Sequence, residues 1–89
     1  MIYSQHFLIF VLVEIKSKIG SRIKELRDVK QMSQKDLAYA SNLDRSYIAS
    51  VENGKRNISI VNIEKISSAL GVDLKEFFKT KHFENITTD

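Results

Sequence analysis

Residues 34–53, QKDLAYASNLDRSYIASVEN, are the stretch that decides the fold. They hold two short helical patterns that are separated by only about three residues. Ser33 stands before the first pattern and Asp36 follows three residues later, which is a capping-box arrangement and predicts a helix over residues 34–41. Asp44 is expected to cap a second helix through residue 53, which Gly54 closes.

Two helices this short and this close can cross only if particular positions satisfy the packing. Ala38 is the small residue that lets the second helix approach the first. Asn42 is the best non-glycine residue for a turn position of positive φ. Leu43 is apolar within the turn and can enter the core, while Ile48 and Val51 give the second helix its buried pair. Five demands met at fixed offsets predict a helix-turn-helix.

Three further helices are expected around this unit. The first runs over about residues 14–31, because apolar residues recur there at steps of four, four and three, although Gly20 weakens it by roughly 1 kcal/mol relative to alanine. The fourth is capped by Ser59, and the fifth begins after Asp73, with Glu76 in the first turn. The apolar stripes of the first and fourth helices are Ile15, Ile19, Ile23, Leu26 and Ile63, Ile66, Leu70. The chain has no proline and three glycines. We therefore predict an all-α, five-helix domain over residues 14–80, with a polar, frayed tail over residues 81–89.

The segment 1–13 is an apolar N-terminal extension that this pattern does not explain. Residues 7–13 are seven unbroken apolar residues, whereas a membrane span needs roughly 20. No basic residues precede the run and no small-residue cleavage site follows it, so we expect neither export nor membrane association. The run is β-branched and aromatic, and a strand is one possibility. It is expected to add to a dimer interface, to pack on its own subunit, or to have no role.

Composition bounds the chemistry. The chain has no cysteine, and its two histidines lie outside the predicted domain core. With scattered acids and no carboxylate–histidine cluster, we expect no metal site, no cofactor, no small-molecule ligand and no enzyme activity. The absence of cysteine fits a reducing cytoplasm.

Charge points to a polyanionic partner. The formal net charge is +3, but residues 16–56 hold ten Lys/Arg against five Asp/Glu, which leaves +5 in the centre and −1 in each flank. A basic centre of this kind suits nucleic acid. The alternative is an ordinary solvated, lysine-rich surface, and charge alone does not decide between the two.

The sequence SQKDLAYASNLDRSYIASVENGK resembles the helix-turn-helix of the lambda/434-repressor-like (Xre-type) regulators. The resemblance covers about residues 19–78, including IGSRIKELR at the entry and SALGVDLKEFF at the end. The run NLDRSYIASVENGKRNIS is similar to the controller proteins of restriction–modification genes. Asn42 departs from the wider family, which usually has glycine there.

The resemblance and the pattern together imply a set of DNA contacts, since the N-terminal end of a recognition helix contacts base edges. Arg45 is best placed to pair with guanine, or else it meets only phosphate or Asp44. Tyr47 either contacts bases or packs against the turn. The predicted base-contacting residues are Arg45, Ser46, Tyr47 and Ser50, and the predicted backbone-contacting residues are Ser33, Gln34, Asn53, Lys55, Arg56 and Asn57. The resemblance also implies a structural ion pair between Arg27 and Glu52.

A single recognition helix reads few base pairs, so the family binds palindromic double-stranded DNA as a homodimer. The resemblance places the dimer surface on the fifth helix, at Leu74, Phe77 and Phe78, although two of these three residues can simply close the bundle. The expected function is a cytoplasmic transcription regulator of the controller class, with RNA polymerase as a further partner if it activates. The alternatives are a phage-type repressor, an antitoxin-like autoregulator, or a protein-interaction module on the same fold.

Overall fold

The computed structural model describes the backbone of residues 5–84 and the side chains of residues 15–84. The described residues form helices throughout, and no strand occurs among them, which confirms the all-α fold class. The elements are α1 (Gln5–Val29), α2 (Gln34–Ser41), α3 (Arg45–Glu52), α4 (Ile60–Ala69), α5 (Leu74–Phe78) and a 3₁₀ turn, η1 (Lys81–Phe83). No described helix is both long enough and apolar enough to cross a bilayer.

Helix α1 begins nine residues before the predicted start at residue 14. Residues 7–13 continue it in helical conformation, so the strand possibility is wrong. No glycine or proline separates this run from the amphipathic part of the helix, and the helix therefore propagates through it. The side chains of residues 7–13 lie outside the described residues, and their expected part in a dimer stays a prediction.

Helix α1 also ends two residues earlier than predicted, at Val29. The chain reverses at Gln31, which has a left-handed φ of 57°. The Met32 N–H then donates to the Arg27 carbonyl at 2.9 Å. This bond satisfies one of the free carbonyls of the last turn.

The N-cap residues of α2 and α3 are those predicted, and the predicted side-chain cap bond is present in α2 but not in α3. The Asp36 N–H donates to the Ser33 hydroxyl, and the Ser33 N–H donates to the Asp36 carboxylate, each at 2.9 Å. Hydrogen bonding from Ser33, chiefly from its backbone N–H, lowers the pKa of Asp36. Asn42 has φ 59° and ψ 41°, as the turn requires. Asp44 stands at the N-cap of α3, but its side chain makes no cap hydrogen bond, so that detail of the prediction is wrong.

The core lies where all five helices, α1 to α5, meet. Its buried hydrophobic residues are Ile23, Leu37, Ala38, Ile48, Val51, Ile63, Ile66, Leu70 and Phe77. The predicted stripe on α1 is only partly correct, because Ile15 is 41% exposed. Among the described side chains of α1, contact with the core therefore starts at Ile19.

Phe77 is fully buried within one chain. Its predicted part in a dimer surface stays a prediction, and the full burial within one chain favours the alternative that it closes the bundle. Leu74 and Phe78 are half-buried and pack against the same core, so α5 mainly closes the bundle.

The first residues of the predicted frayed tail are ordered as η1. Phe83 lies 5.0 Å from Phe78 between ring centroids, in an edge-to-face arrangement that favours aromatic pairs. The expectation of fraying is therefore wrong for residues 81–83, because an aromatic side chain anchors them. Residues 85–89 lie outside the described residues.

Candidate nucleic-acid interface

Helix α3 is anchored by one face and open on the other. Ile48 is 0% exposed and Val51 is 2% exposed, so both side chains lie in the core. Arg45 and Ser46 are exposed at the N-terminal end of the same helix, while Ser50 is half-buried. The exposed residues at the helix start can enter a groove without disturbing the core, which is what a recognition helix requires.

Tyr47 packs rather than standing free. Its hydroxyl accepts a hydrogen bond from the Asn62 side-chain amide of α4 at 3.0 Å. The guanidinium carbon of Arg56 lies 4.8 Å from the centroid of the Tyr47 ring, a cation–π distance. Of the two sequence alternatives the structure favours packing, although the contacts are with the loop after α3 and with α4 instead of the turn.

The loop after α3 presents its polar residues to solvent. Asn53 is the C-cap of α3, and Gly54 follows with a φ of 71°. Lys55, Arg56 and Asn57 are all exposed. Their side chains lie within a few residues of the recognition helix, where cations and amides can bind phosphate.

Arg27 and Glu52 are brought together across α1 and α3. The Arg27 Nε donates to one Glu52 oxygen at 2.7 Å, and its second nitrogen donates to the other oxygen at 2.9 Å. The Arg27 side chain is 11% exposed and that of Glu52 is 4% exposed. The hydrogen bond to Glu52 raises the pKa of Arg27, which is accordingly charged at every physiological pH. This two-pronged pair fixes the end of the recognition helix to α1.

Gln34 joins the same network and does not stand free at the start of α2. Its side-chain amide donates to Glu52 at 3.1 Å. The predicted phosphate contact by its amide nitrogen therefore competes with an internal bond. Ser33, in contrast, is exposed, and its hydroxyl is engaged only as the acceptor of the capping bond.

Gly20 allows a close approach between α1 and α3 that the sequence pattern alone does not predict. A Cβ added at Gly20 would lie 2.5 Å from the Val51 carbonyl oxygen and 2.6 Å from that of Glu52. Only glycine permits this contact, because real Cβ atoms are not found under 3.0 Å from such neighbours. The signal available in the sequence was a glycine inside a strong helical pattern, which often marks a packing requirement.

Arg22 is one of the ten cations of the basic centre, but its side chain lies in the interior. It is 7% exposed, and it donates to the carbonyls of Phe77 and Glu76 at 2.8 Å each. Both are carbonyls of the last turn of α5, and the Glu76 carbonyl also accepts from the Lys79 N–H at 3.2 Å. Its third bond goes to Glu25 at 3.0 Å and lowers the pKa of that carboxyl group. Together with Arg27, it removes two of the ten central cations from the surface available to DNA.

Among residues 15–84, no group of three His, Asp or Glu side chains is placed to hold a metal ion. The surface around α3 consists of exposed arginine, lysine, serine and asparagine side chains. Its chemistry is that of hydrogen-bond donors and cations held on a rigid helix, and such groups bind phosphates and base edges.

Comparison with known proteins shows the family to which the chain belongs. The Helix-turn-helix family model matches residues 23–77. The control protein C.MunI of a Mycoplasma species is 50% identical over 66 residues, which are 73% of this chain and 89% of that protein. The control protein C.BamHI of Bacillus amyloliquefaciens is 46% identical over 63 residues, which are 70% of this chain and 78% of that protein.

Solved structures give the same result. The restriction–modification controller protein C.AhdI from Aeromonas hydrophila has a TM-score of 0.68 and 49% identity, over 71% of this chain and 96% of that chain. The C.Esp1396I controller tetramer in complex with its natural 35-base-pair operator has a TM-score of 0.69 and 45% identity, over 72% of this chain and 84% of that one. These findings confirm the resemblance drawn from the sequence. The chain therefore belongs to the helix-turn-helix family and, within it, to the restriction–modification controller proteins.

Proposed function

We propose that the chain is a homodimeric, sequence-specific DNA-binding transcription regulator that controls a restriction–modification system. The observation that carries the proposal is the exposed start of α3 on a helix whose other face is buried and whose end is fixed to α1. A helix held in this way enters the major groove of DNA as a rigid unit. Two copies related by a two-fold axis would read the two halves of a palindrome.

Roles within the surface follow from position. Arg45 and Ser46 are the base-reading residues, because they are exposed at the N-terminal end of α3. Arginine pairs with two acceptors of guanine in the major groove. The loop residues Lys55, Arg56 and Asn57 bind the phosphate backbone and set the register of the protein on DNA. Ser50 contributes less, since it is half-buried.

Regulation follows from the controller class. Operators of its own gene and of the endonuclease gene are the proposed targets, with activation at low occupancy and repression at higher occupancy. RNA polymerase is the proposed partner of the activating state. Inspection of the neighbouring genes tests the class, because a methyltransferase and an endonuclease gene beside this one separate it from a phage-type or antitoxin-like regulator.

Binding itself is tested by selecting bound sites from random DNA and measuring affinity by fluorescence anisotropy at several salt concentrations. We expect Arg45→Ala to weaken binding and to relax the sequence preference at one position, by about 1–3 kcal/mol. Lys55→Ala should weaken binding to all sequences and reduce the salt slope by about 0.9, the contribution of one phosphate contact.

Lys79→Ala is the matched control, because Lys79 is an exposed cation at the end of α5 and outside the proposed surface. It should bind as the wild type does. If the signal obtained with DNA and the wild type did not change with salt, no phosphate contacts would be formed. That result would reject specific DNA binding and favour a protein-interaction module on the same fold.

A further inference from the structure

Asn62 of α4 is joined to the DNA-binding surface, although it lies outside α3 and the loop that follows it. Its side-chain amide donates to the Tyr47 hydroxyl of α3 at 3.0 Å. Both side chains are half-buried. A hydrogen bond that is partly shielded from water restrains its two groups more firmly than one between exposed side chains. The Tyr47 ring is therefore held from the side of α4.

The backbone that carries Asn62 is itself fixed in place. The Asn62 N–H donates to the Ser59 hydroxyl at 3.1 Å, which caps α4. The next residue, Ile63, is 5% exposed and lies in the core. Side chains that project from a rigid helix hold their partners more precisely than side chains on loops. Asn62 is therefore a fixed point to which a residue of another helix can be attached.

The Tyr47 ring in turn carries Arg56 of the loop after α3. The Arg56 guanidinium carbon lies over the ring, 4.8 Å from its centroid. Arg56 is exposed, and among residues 15–84 it forms no ion pair. No described carboxylate neutralises its charge, and a cation–π contact requires none of its N–H donors. The arginine is thus restrained while its charge and its donors stay available to a phosphate.

We propose that Asn62 is a positioning residue for phosphate binding, because it holds the Tyr47 ring on which the Arg56 guanidinium is kept in place. The inference rests on the proposed function, in which Arg56 binds phosphate, and it adds a residue of α4 that acts without touching DNA. An exposed arginine has many rotamers, and ordering it upon binding costs free energy. The contact from Asn62 through Tyr47 reduces this cost, since Arg56 is already ordered in the free protein.

Tyr47 acts here as a platform and not as a DNA contact. Its hydroxyl accepts from Asn62 and its ring face carries Arg56, so both parts of the side chain are engaged within the protein. Loss of the hydroxyl and loss of the Asn62 amide should accordingly have the same effect on DNA binding, and both losses together should be no larger than either. If Tyr47→Phe weakened binding clearly more than Asn62→Ala, Tyr47 would contact DNA directly and the proposal would be overturned.

The test measures the affinity of the full chain for the site selected from random DNA, by fluorescence anisotropy at several salt concentrations. Asn62→Ala should weaken binding about two- to tenfold, which is the effect of having to order one more side chain upon binding. It should also lower the salt slope toward that of Arg56→Ala, by up to about 0.9. A loss of folding stability alone would reduce the active fraction of the protein without changing the salt slope.

The Arg56→Ala background shows whether Asn62 acts through Arg56. There, Asn62→Ala should change the affinity by less than about twofold, because the residue that it positions is gone. Ser68→Ala is the matched control, since Ser68 is an exposed polar residue of the same helix; it should bind as the wild type does. An Asn62→Ala effect of equal size with and without Arg56, or a wild-type affinity and salt slope in Asn62→Ala, would overturn the proposal.

NMR relaxation of the arginine Nε–H groups in the DNA-free protein separates this inference from the proposed function. The order parameter of Arg56 should fall in Asn62→Ala, while that of Arg45, an exposed arginine of α3, should stay unchanged. If the wild type bound no DNA but the order of Arg56 still depended on Asn62, the proposed function would fail and the restraint of Arg56 by Asn62 would stand. If DNA binding held while neither the order parameter nor the salt slope changed, the positioning role would fail and the proposed function would stand.

Discussion

Replacing Gly20 with alanine sets two effects of opposite sign against each other. Alanine is the better helix former by about 0.8–1.0 kcal/mol at an interior helix position, so helix propensity alone predicts a more stable protein. The added Cβ, however, would lie 2.5 Å from the Val51 carbonyl oxygen and 2.8 Å from the Glu52 carbonyl carbon. Both are backbone atoms of the recognition helix, and they cannot be relieved by rotating a side chain.

The size of the clash decides whether Gly20→Ala stabilises or destabilises the protein. Ordinary contact begins near 3.4 Å, so α1 and α3 would have to separate by about 0.9 Å at this point. Overpacking of this kind costs about 1–3 kcal/mol. The same separation stretches the 2.7 Å bond between Arg27 and Glu52, which joins these two helices with little exposure to water. Subtracting the gain in propensity from the middle of that range leaves a net loss of about 1 kcal/mol, or about 4–8 °C in melting temperature for a domain of this size.

Thermal and urea unfolding followed by circular dichroism measure the effect. Ser21→Ala is the matched control, because Ser21 is the next residue of α1 and is exposed, so alanine brings its helix propensity without a clash. It should raise stability by a few tenths of a kcal/mol. If Gly20→Ala proved as stable as the wild type or more so, the close approach of α1 to α3 would not be a constraint on this fold.

Three further predictions concern the contacts that hold the recognition helix. Arg27→Ala should lower the free energy of unfolding by about 3–5 kcal/mol, since it leaves a buried carboxylate without its partner, whereas Arg45→Ala at an exposed site should stay within about 0.5 kcal/mol; equal melting temperatures would contradict this. Asp36 has a lowered pKa, so its stabilising effect should be complete above its ordinary value near 3.8 and disappear as the pH falls through the lowered one. The difference in urea midpoint between wild type and Asp36→Ala should therefore shrink from pH 6 to pH 3, and a difference that grew on acidification would oppose the assignment. Tyr47→Phe should cost about 1 kcal/mol by removing the acceptor of the Asn62 amide, and a double-mutant cycle with Asn62→Ala should show that the two losses are not additive.

Local rules account for what the sequence predicted well. The capping box of Ser33 and Asp36, and the left-handed turn at Asn42, involve atoms within a few residues of one another. Their geometry follows from short-range sterics and hydrogen bonding, which a single sequence contains in full. The buried pair Ile48 and Val51 follows from helical periodicity in the same way.

Long-range contacts account for most of the structural features that the sequence does not predict. Arg22 donates to the Phe77 carbonyl, 55 residues away in the chain. In the sequence, Arg22 is one of ten cations in the basic centre. Neither spacing nor composition distinguishes an arginine that donates to buried carbonyls from one that faces solvent. The same applies to Gly20: helix propensity predicts that it weakens α1, and only the backbone of Val51 and Glu52 opposite it shows why glycine is needed there.

The same distinction applies to the candidate site. Exposed positions such as Arg45 follow from the face opposite the buried pair. The sequence allows two roles for Tyr47, and the structure shows that it packs against Asn62 and Arg56, which belong to the next helix and the loop. The location of apolar exposure was harder to predict, because Phe77 and Ile60 are equally apolar letters and only the packing of α5 decides which is covered.

Helix α3 has eight residues, and helices shorter than about 12–15 residues are marginal in water on their own. Its conformation must therefore come from its surroundings. Val51 and Ile48 bury one face, the Arg27 pair fixes its end, and the Tyr47 hydroxyl connects it to α4. These restraints keep the helix formed before any DNA arrives, so binding need not supply the cost of ordering it. A substitution that loosens one of them should accordingly weaken DNA binding even though the altered residue never touches DNA.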